Sequence, residues 1–281
     1  MTRSATGCCD EGPRDLGRGA GHFAPGRGKG PTEQWSGPTH DDGEPPLLGV
    51  LGGMGPLATA HFYRRLVERT PARRDQEHLR VAIWADPTVP DRTEALLGRG
   101  PSPVPGMLRG LRWLAQARVS CVAIPCNTAH AYVRELREHT ELPILDMVTA
   151  ALRSCRARRP DVERIGVLAT RGTRTARLYE IAGQGLGLTV VQVSTATQRE
   201  HVDRAIAMVK EGGDSAVAAR HIAAAARELL DRGARMAIAA CTEIPLVMAE
   251  AERILPVLDS TAALVDSVLA ELCPPSAPGR R

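Results

Sequence analysis

The chain has 281 residues, 43% hydrophobic and 24% charged, with a formal net charge of +4, a soluble composition long enough for two cores. Aromatic residues make up 3%, which argues against base stacking on aromatic platforms. Residues 1–46 hold five basic and seven acidic side chains, so they sum to −2 and the remainder to +6; neither part carries a nucleic-acid footprint.

There is no run of 18 apolar residues, and the first 30 residues hold no apolar signal core, so neither a membrane span nor a secretory leader is expected. The seven cysteines (Cys8, Cys9, Cys121, Cys126, Cys155, Cys241, Cys273) form no CxxC pair. Free thiols in a reducing cytoplasm are the expectation, not disulfides or zinc.

Residues 1–46, with ten Gly and six Pro, read as a disordered extension. Cys8, Cys9 and His22 lie in it at a spacing that fits no standard metal site. From Leu47 the chain alternates strands and helices. LLGVLG is a buried strand, HFYRRLVERT a helix, VAIWAD (81–86) a strand, MLRGLRWLAQARV (107–119) an amphipathic helix and CVAIP a strand. AHAYVRELREHT reads as a helix and PILDM (143–147) as a fourth strand. The second half repeats the plan: RIGVLAT strand, RTARLYEIAGQ helix, LTVVQV strand, VDRAIAMVKEG and SAVAARHIAAAARELLDRG helices, ARMAIAAC strand, and PVLDSTAALVDSVLAEL a last strand and helix. This alternation predicts an α/β fold with parallel sheets, whose ligands sit at the carboxyl ends of the strands.

Both halves end a strand on a cysteine. Gly49 to Cys126 is 126 − 49 = 77 residues and Gly166 to Cys241 is 241 − 166 = 75 residues. Each cysteine is followed within two residues by threonine (Cys126-Asn127-Thr128, Cys241-Thr242-Glu243), the mark of a degenerate internal duplication. For either cysteine alone a buried core role is the plainer reading. Two at matching positions, each beside polar residues that a dry core rejects, argue for chemistry. If the halves face each other about a pseudo-twofold axis, two thiols meet on opposite faces of one small ligand. That arrangement suits inversion of a stereocentre, one thiolate removing a Cα proton and the opposite thiol returning one. A helix start after Cys126 would favour thiolate and a bound carboxylate.

Other features weigh less. Gly53-x-Gly55-x-x-Ala58 has dinucleotide-loop spacing, but Asp86 comes 28 residues after Ala58, beyond the usual distance for a ribose-binding acid, and Pro56 would open the helix; a close backbone approach to a carboxylate is preferred. The chain holds 34 Arg and two Lys, Lys29 and Lys210, which makes Lys210 a chemically distinct choice. It lies on a predicted helix away from any strand end, so no Schiff-base lysine, and no pyridoxal phosphate, is expected. Arg92 reads as a loop arginine after a strand. His130 fits either a role beside the first cysteine or a capping and packing one, and Glu243 either polarises the second thiol or steadies a helix start. Cys121 reads as core, and the run of Arg153, Arg156, Arg158 and Arg159 around Cys155 as a solvated face.

Six segments in order, LLGVLGGMGPLAT (47–59), TPARRDQEH (70–78), VPDRTEALL (89–97), PCNTAHAYV (125–133), GVLATRGT (166–173) and ACTEIPL (240–246), closely resemble the cofactor-independent, two-cysteine aspartate/glutamate racemase family. The resemblance covers roughly Leu47 to Leu272. It implies a dimer of subunits with two similar α/β domains and an active site in the cleft between them. The domains would be 47–147 plus 257–281, carrying Cys126, and 148–256, carrying Cys241. It implies that Cys126 and Cys241 are the two bases, that Asn127, Thr128 and Thr242 hold the α-carboxylate and amino group, and that Thr170 and the backbone near Met54 line the cleft. It further implies that Arg92 and Lys210 take the side-chain carboxylate of aspartate. No cofactor and no metal are expected. Glutamate or broader acidic substrates, maleate isomerisation, and a catalytically silent amino-acid binder stay open beside aspartate racemisation.

Overall fold

The computed structural model describes residues 45–273. Apart from Pro45 and Pro46, the expected N-terminal extension, with Cys8, Cys9 and His22, lies outside the described residues, as do residues 274–281.

The described residues form two parallel sheets. The first holds β1 (Leu47–Gly52), β2 (Arg80–Ala85) and β3 (Cys121–Ala123) in the order β2-β1-β3. The second holds β4 (Arg164–Ala169), β5 (Thr189–Val191), β6 (Met236–Ala240) and β7 (Val257–Asp259) in the order β5-β4-β6-β7. The segment expected as a fourth strand at 143–147 is reduced to one parallel bridge, Val122 to Ile144. Pro143 precedes it, and Asp146 caps the next helix, accepting from the Val148 and Thr149 amides. With that bridge counted, both halves have the same strand order, and Leu142-Pro-Ile-Leu-Asp146 repeats as Leu255-Pro-Val-Leu-Asp259.

Among the described residues, twelve α-helices surround the sheets: α1 (Pro56–Arg69), α2 (Arg92–Leu96), α3 (Val104–Gln116), α4 (Val133–Arg137), α5 (Met147–Arg158), α6 (Arg171–Thr175), α7 (Leu178–Gln184), α8 (Thr195–Thr197), α9 (Asp203–Lys210), α10 (Ser215–Asp231), α11 (Ala249–Glu252) and α12 (Ser260–Leu272). None of these helices is long and apolar enough to cross a membrane. The expected helix at 129–140 opens as a 3-10 turn, Thr128–Tyr132, before α4. The one expected at 174–184 breaks at Arg177, which takes a left-handed φ of 52° between α6 and α7.

Each sheet is covered on both faces, which is why its strands read as near-continuous apolar runs. In β1, Leu48 and Val50 face Phe62, Leu264 and Val268, while Leu51 faces Met107 and Leu111. In β6, Met236, Ile238 and Ala240 face one core cluster, and Ala237, Ala239 and Cys241 the other. The last helix of each half is exchanged. α5 buries Ala151, Leu152 and Cys155 against the second sheet, and α12 buries Leu264, Val265 and Val268 against the first. Val257 to Asp259 pairs along β6, and α12 crosses to the first sheet directly after it.

Candidate active site

The strand ends converge as parallel-sheet geometry requires. One pocket, enclosing about 300 Å3 of space with solvent at its mouth included, is lined by Met54, Asp91, Arg92, Thr93, Cys126, Asn127, Thr128, Thr170, Lys210, Cys241, Thr242 and Glu243. Met54 follows β1, Cys126 to Thr128 follow β3, Thr170 follows β4, and Cys241 to Glu243 follow β6.

Two loops are shaped to reach it. Gly53 has φ 87°, and a side chain there would collide with the Asp86 backbone, so only glycine permits this turn. Its amide donates to Thr59 Oγ1 at 2.9 Å, and Thr59 Oγ1 donates to the Gly55 carbonyl at 3.0 Å. The glycine loop thus spends its first donor within the protein. Asp91 caps α2, its Oδ1 accepting from the Thr93 and Glu94 amides at 2.8 and 2.9 Å. This holds Arg92 at the first helical position. The arginine, expected in a solvated turn, is buried. Its Nη1 donates to Val89 O at 3.2 Å and Pro90 O at 3.1 Å, and its Nη2 to Met54 O at 3.0 Å. Its Nε is buried without a partner among the described residues.

The cysteines are both buried but differently attended. Cys241 Sγ donates to Glu243 Oε2 at 2.9 Å, and Thr242 Oγ1 to the same oxygen at 3.3 Å. Burial first, then the Glu243 charge, pushes the Cys241 thiol well up, against the opposing pull of Lys210. At Cys126 it is the carbonyl that is held. The Met147 amide donates to His130 Nε2 at 3.1 Å, so the proton of the neutral ring sits on Nδ1, which donates to Cys126 O at 2.9 Å. Burial pushes His130 below its usual value. Cys121 and Cys155, by contrast, are core thiols pushed up to about 12 by burial.

Hydroxyls join the two halves across the pocket floor. Thr128 Oγ1 lies 2.9 Å from Thr170 Oγ1 and 3.1 Å from Thr173 Oγ1. Lys210, at the end of α9, is an exposed residue, yet its ammonium senses the pocket it lines. Burial pulls it down, but Cys241, Glu243, Asp91 and Cys126 together hold it above its usual value.

A family model of Asp/Glu/hydantoin racemases matches residues 51–268. The chain belongs to this family. Among relatives, the broad specificity amino-acid racemase RacX of Bacillus subtilis is 25% identical over 231 residues, 80% of this chain and 97% of that protein. The structure of an aspartate racemase from Picrophilus torridus matches with a TM-score of 0.70 and 26% identity, covering 80% of this chain and 94% of that one. Glutamate racemase from Francisella tularensis, in complex with D-glutamate, matches the fold with a TM-score of 0.61 and 16% identity over 81% of each chain. The α/β racemase architecture expected from sequence is therefore present.

Within this racemase fold, all nine residues singled out in the sequence (Met54, Arg92, Cys126, Asn127, Thr128, Thr170, Lys210, Cys241 and Thr242) line the one pocket. Asp91 and Thr93 line it too and were missed. Their signal was adjacency to Arg92, whose neighbours a strand-end search does not examine. The fixed charges on the lining balance: Asp91 and Glu243 against Arg92 and Lys210.

Proposed function

We propose that this racemase-family protein interconverts L- and D-aspartate without pyridoxal phosphate, using Cys126 and Cys241 as its two acid/base groups. The observation that carries the reading is that both thiols, each at the end of its own sheet, line one pocket. In the proposed cycle one cysteine is thiolate and takes the Cα proton. The electron pair left on Cα is delocalised into the α-carboxylate. The opposite thiol gives its proton to the other face and becomes the thiolate, so each turnover exchanges the two roles. Cys241, pushed up by burial and Glu243, is assigned the protonated role in the resting enzyme. Asn127, the threonines and backbone N–H groups hold the α-carboxylate; donors that meet developing charge contribute about 3 kcal/mol each. Lys210 and Arg92 take the second carboxylate. The homodimer, the cytoplasmic setting and the division of the chain into two domains near residue 148 are parts of the same proposal and rest on the family resemblance.

A second substrate reading has its own support. The guanidinium of Arg92 is spent on three backbone carbonyls, and the lining carries as many carboxylates as cations. A neutral amino acid fits that balance, and so does a broader set, since the Bacillus relative is named a broad specificity amino-acid racemase. Proton NMR in D2O with purified protein and L-aspartate, L-glutamate or L-alanine, followed by chiral analysis, tests both. Loss of the Cα proton with appearance of D-aspartate supports the first reading, and faster exchange on alanine the second. No exchange on any of the three refutes racemisation, and maleate is then the next substrate.

A further inference from the structure

Asn127 is the single asparagine among the 281 residues. It is buried, and both ends of its amide are held, by Tyr179 on α7 and by Ser260 at the start of α12. Tyr179 Oη lies 2.5 Å from Asn127 Oδ1, and Asn127 Nδ2 lies 3.1 Å from Ser260 Oγ. Ser260 Oγ in turn lies 2.6 Å from the Ala239 carbonyl, on β6, the strand that leads into Cys241.

The direction of every bond in this chain follows from its last member. A carbonyl only accepts, so Ser260 spends its one proton on Ala239. Its oxygen is then an acceptor toward Asn127, which must present the NH2 end of its amide. The amide oxygen therefore faces Tyr179, and the phenol must donate. Complete burial pushes the Tyr179 phenol well above its usual value, so it stays a donor at every working pH. One N–H of Asn127 goes to Ser260, and the other is left for the pocket that Asn127 lines.

We infer that Tyr179 is a positioning residue: with Ser260 it fixes the polarity of the Asn127 amide, so that the pocket beside Cys126 is offered a hydrogen-bond donor and never an acceptor. This deepens the racemase reading above and rests on it for the identity of the ligand, an α-carboxylate. A rotated amide would turn its oxygen toward that carboxylate, and repulsion would replace a hydrogen bond where charge develops in the transition state. The relay also ties the residue next to Cys126 to the strand that carries Cys241. The two thiols therefore share one rigid frame, and the spacing between catalytic groups is the quantity to which rate is most sensitive.

The test uses the full chain and two readouts. Feeding 15N-asparagine labels one side-chain amide, because there is only one. Tyr179→Phe, which removes only the hydroxyl, should move that amide's nitrogen and proton resonances, and Ser260→Ala should move them too. An amide signal unchanged in both variants overturns the inference. In the second readout, Tyr179→Phe should lower kcat for Cα deuterium exchange about tenfold or more with KM within about threefold, the pattern of a displaced group. In an Asn127→Ala background the same substitution should change kcat less than about twofold, since residues acting through one another do not add. An equal loss in both backgrounds would mean that Tyr179 supports the fold at large and would overturn the inference. If the wild-type protein exchanges no Cα proton, the racemase reading falls while the amide spectrum still decides the positioning.

Discussion

Cys241 donates a 2.9 Å hydrogen bond to the Glu243 carboxylate, whereas the thiol of Cys126 has no hydrogen-bond partner among the described residues. The two cysteines arose at matching positions, but the second half alone placed a carboxylate two residues on. The pocket is thus symmetric in its thiols and asymmetric in what governs them.

Glu243→Gln should make Cys241 easier to ionise. Burial is the largest cause of its raised value and survives the substitution; the carboxylate charge is the next and is removed. Lys210→Met should act in the opposite direction, because the ammonium is what lowers it. The measurement is the pH dependence of alkylation at the Cys241 peptide, read by mass spectrometry. Its midpoint should fall in the first variant and rise in the second, and a shared direction would contradict the assigned electrostatics.

Arg92 and Lys210 should separate by what they damage. Arg92→Ala leaves the carbonyls of Val89, Pro90 and Met54 without their donor. Each lost bond to a charged group is worth about 1.5–3 kcal/mol, so urea unfolding should show a loss of about 3 kcal/mol or more. Lys210→Met should leave stability within about 0.5 kcal/mol, as surface substitutions do. It should raise KM for aspartate about tenfold more than KM for alanine, the equivalent of about 1.4 kcal/mol. An equal effect on both substrates would take the side-chain carboxylate away from Lys210.

Gly172 marks where the halves touch beside the pocket. A Cβ there would lie 2.8 Å from Thr128 Cγ2 and Thr93 Oγ1 and 2.9 Å from Thr93 Cα, and a backbone atom cannot yield. Gly172→Ala should push α6 away from α2 and the Thr128 turn. We expect a stability loss of about 1–3 kcal/mol with a fall in kcat of about tenfold or more. Normal turnover with normal stability would show that the contact is slack.

Much of this was legible in the sequence, for identifiable reasons. Strands buried on both faces are written as apolar runs, so LLGVLG and MAIAA stand out, and the residues after them are then candidate ligands. Cys126 and Cys241 stood out that way, and Asn127, Thr128 and Thr242 were added by the family resemblance. The partners that orient them were not, because the fold brings them from far along the chain: Tyr179 lies 52 residues from Asn127, and Ser260 lies 133. Nor does periodicity reveal that α5 and α12 each pack on the other half's sheet. Both helices have ordinary apolar faces, and only the tertiary structure says which sheet each face meets. Arg92 looked solvated because a loop arginine usually is, and its three carbonyl partners come from two loops that are separate in sequence.

His130 supplies a pH-dependent contribution to stability whose sign follows from its bonds. The neutral ring donates from Nδ1 to Cys126 O and accepts at Nε2 from the Met147 amide. A protonated ring would set two donors against each other at Met147. Burial lowers its folded pKa and outweighs the carbonyls of Cys126 and Leu145 and the charge of Asp146, which favour the protonated ring, while Arg137 reinforces the lowering. The unfolded chain titrates near its ordinary value of about 6.5, so between the depressed folded value and about 6.5 the unfolded state binds the extra proton. The contribution is therefore complete above pH ~6.5 and is lost as pH falls below it toward the folded value, with a limiting slope of about 1.4 kcal/mol per pH unit. His130→Gln should be less stable at pH 8, since Cys126 O or Met147 N–H loses its partner, but it should lose less further stability between pH 6.5 and 5. His221, also lowered by burial, titrates in both proteins and cancels in the comparison. Urea unfolding of the two proteins at pH 5, 6, 7 and 8 measures the difference, and parallel curves would mean that His130 is not the group that titrates.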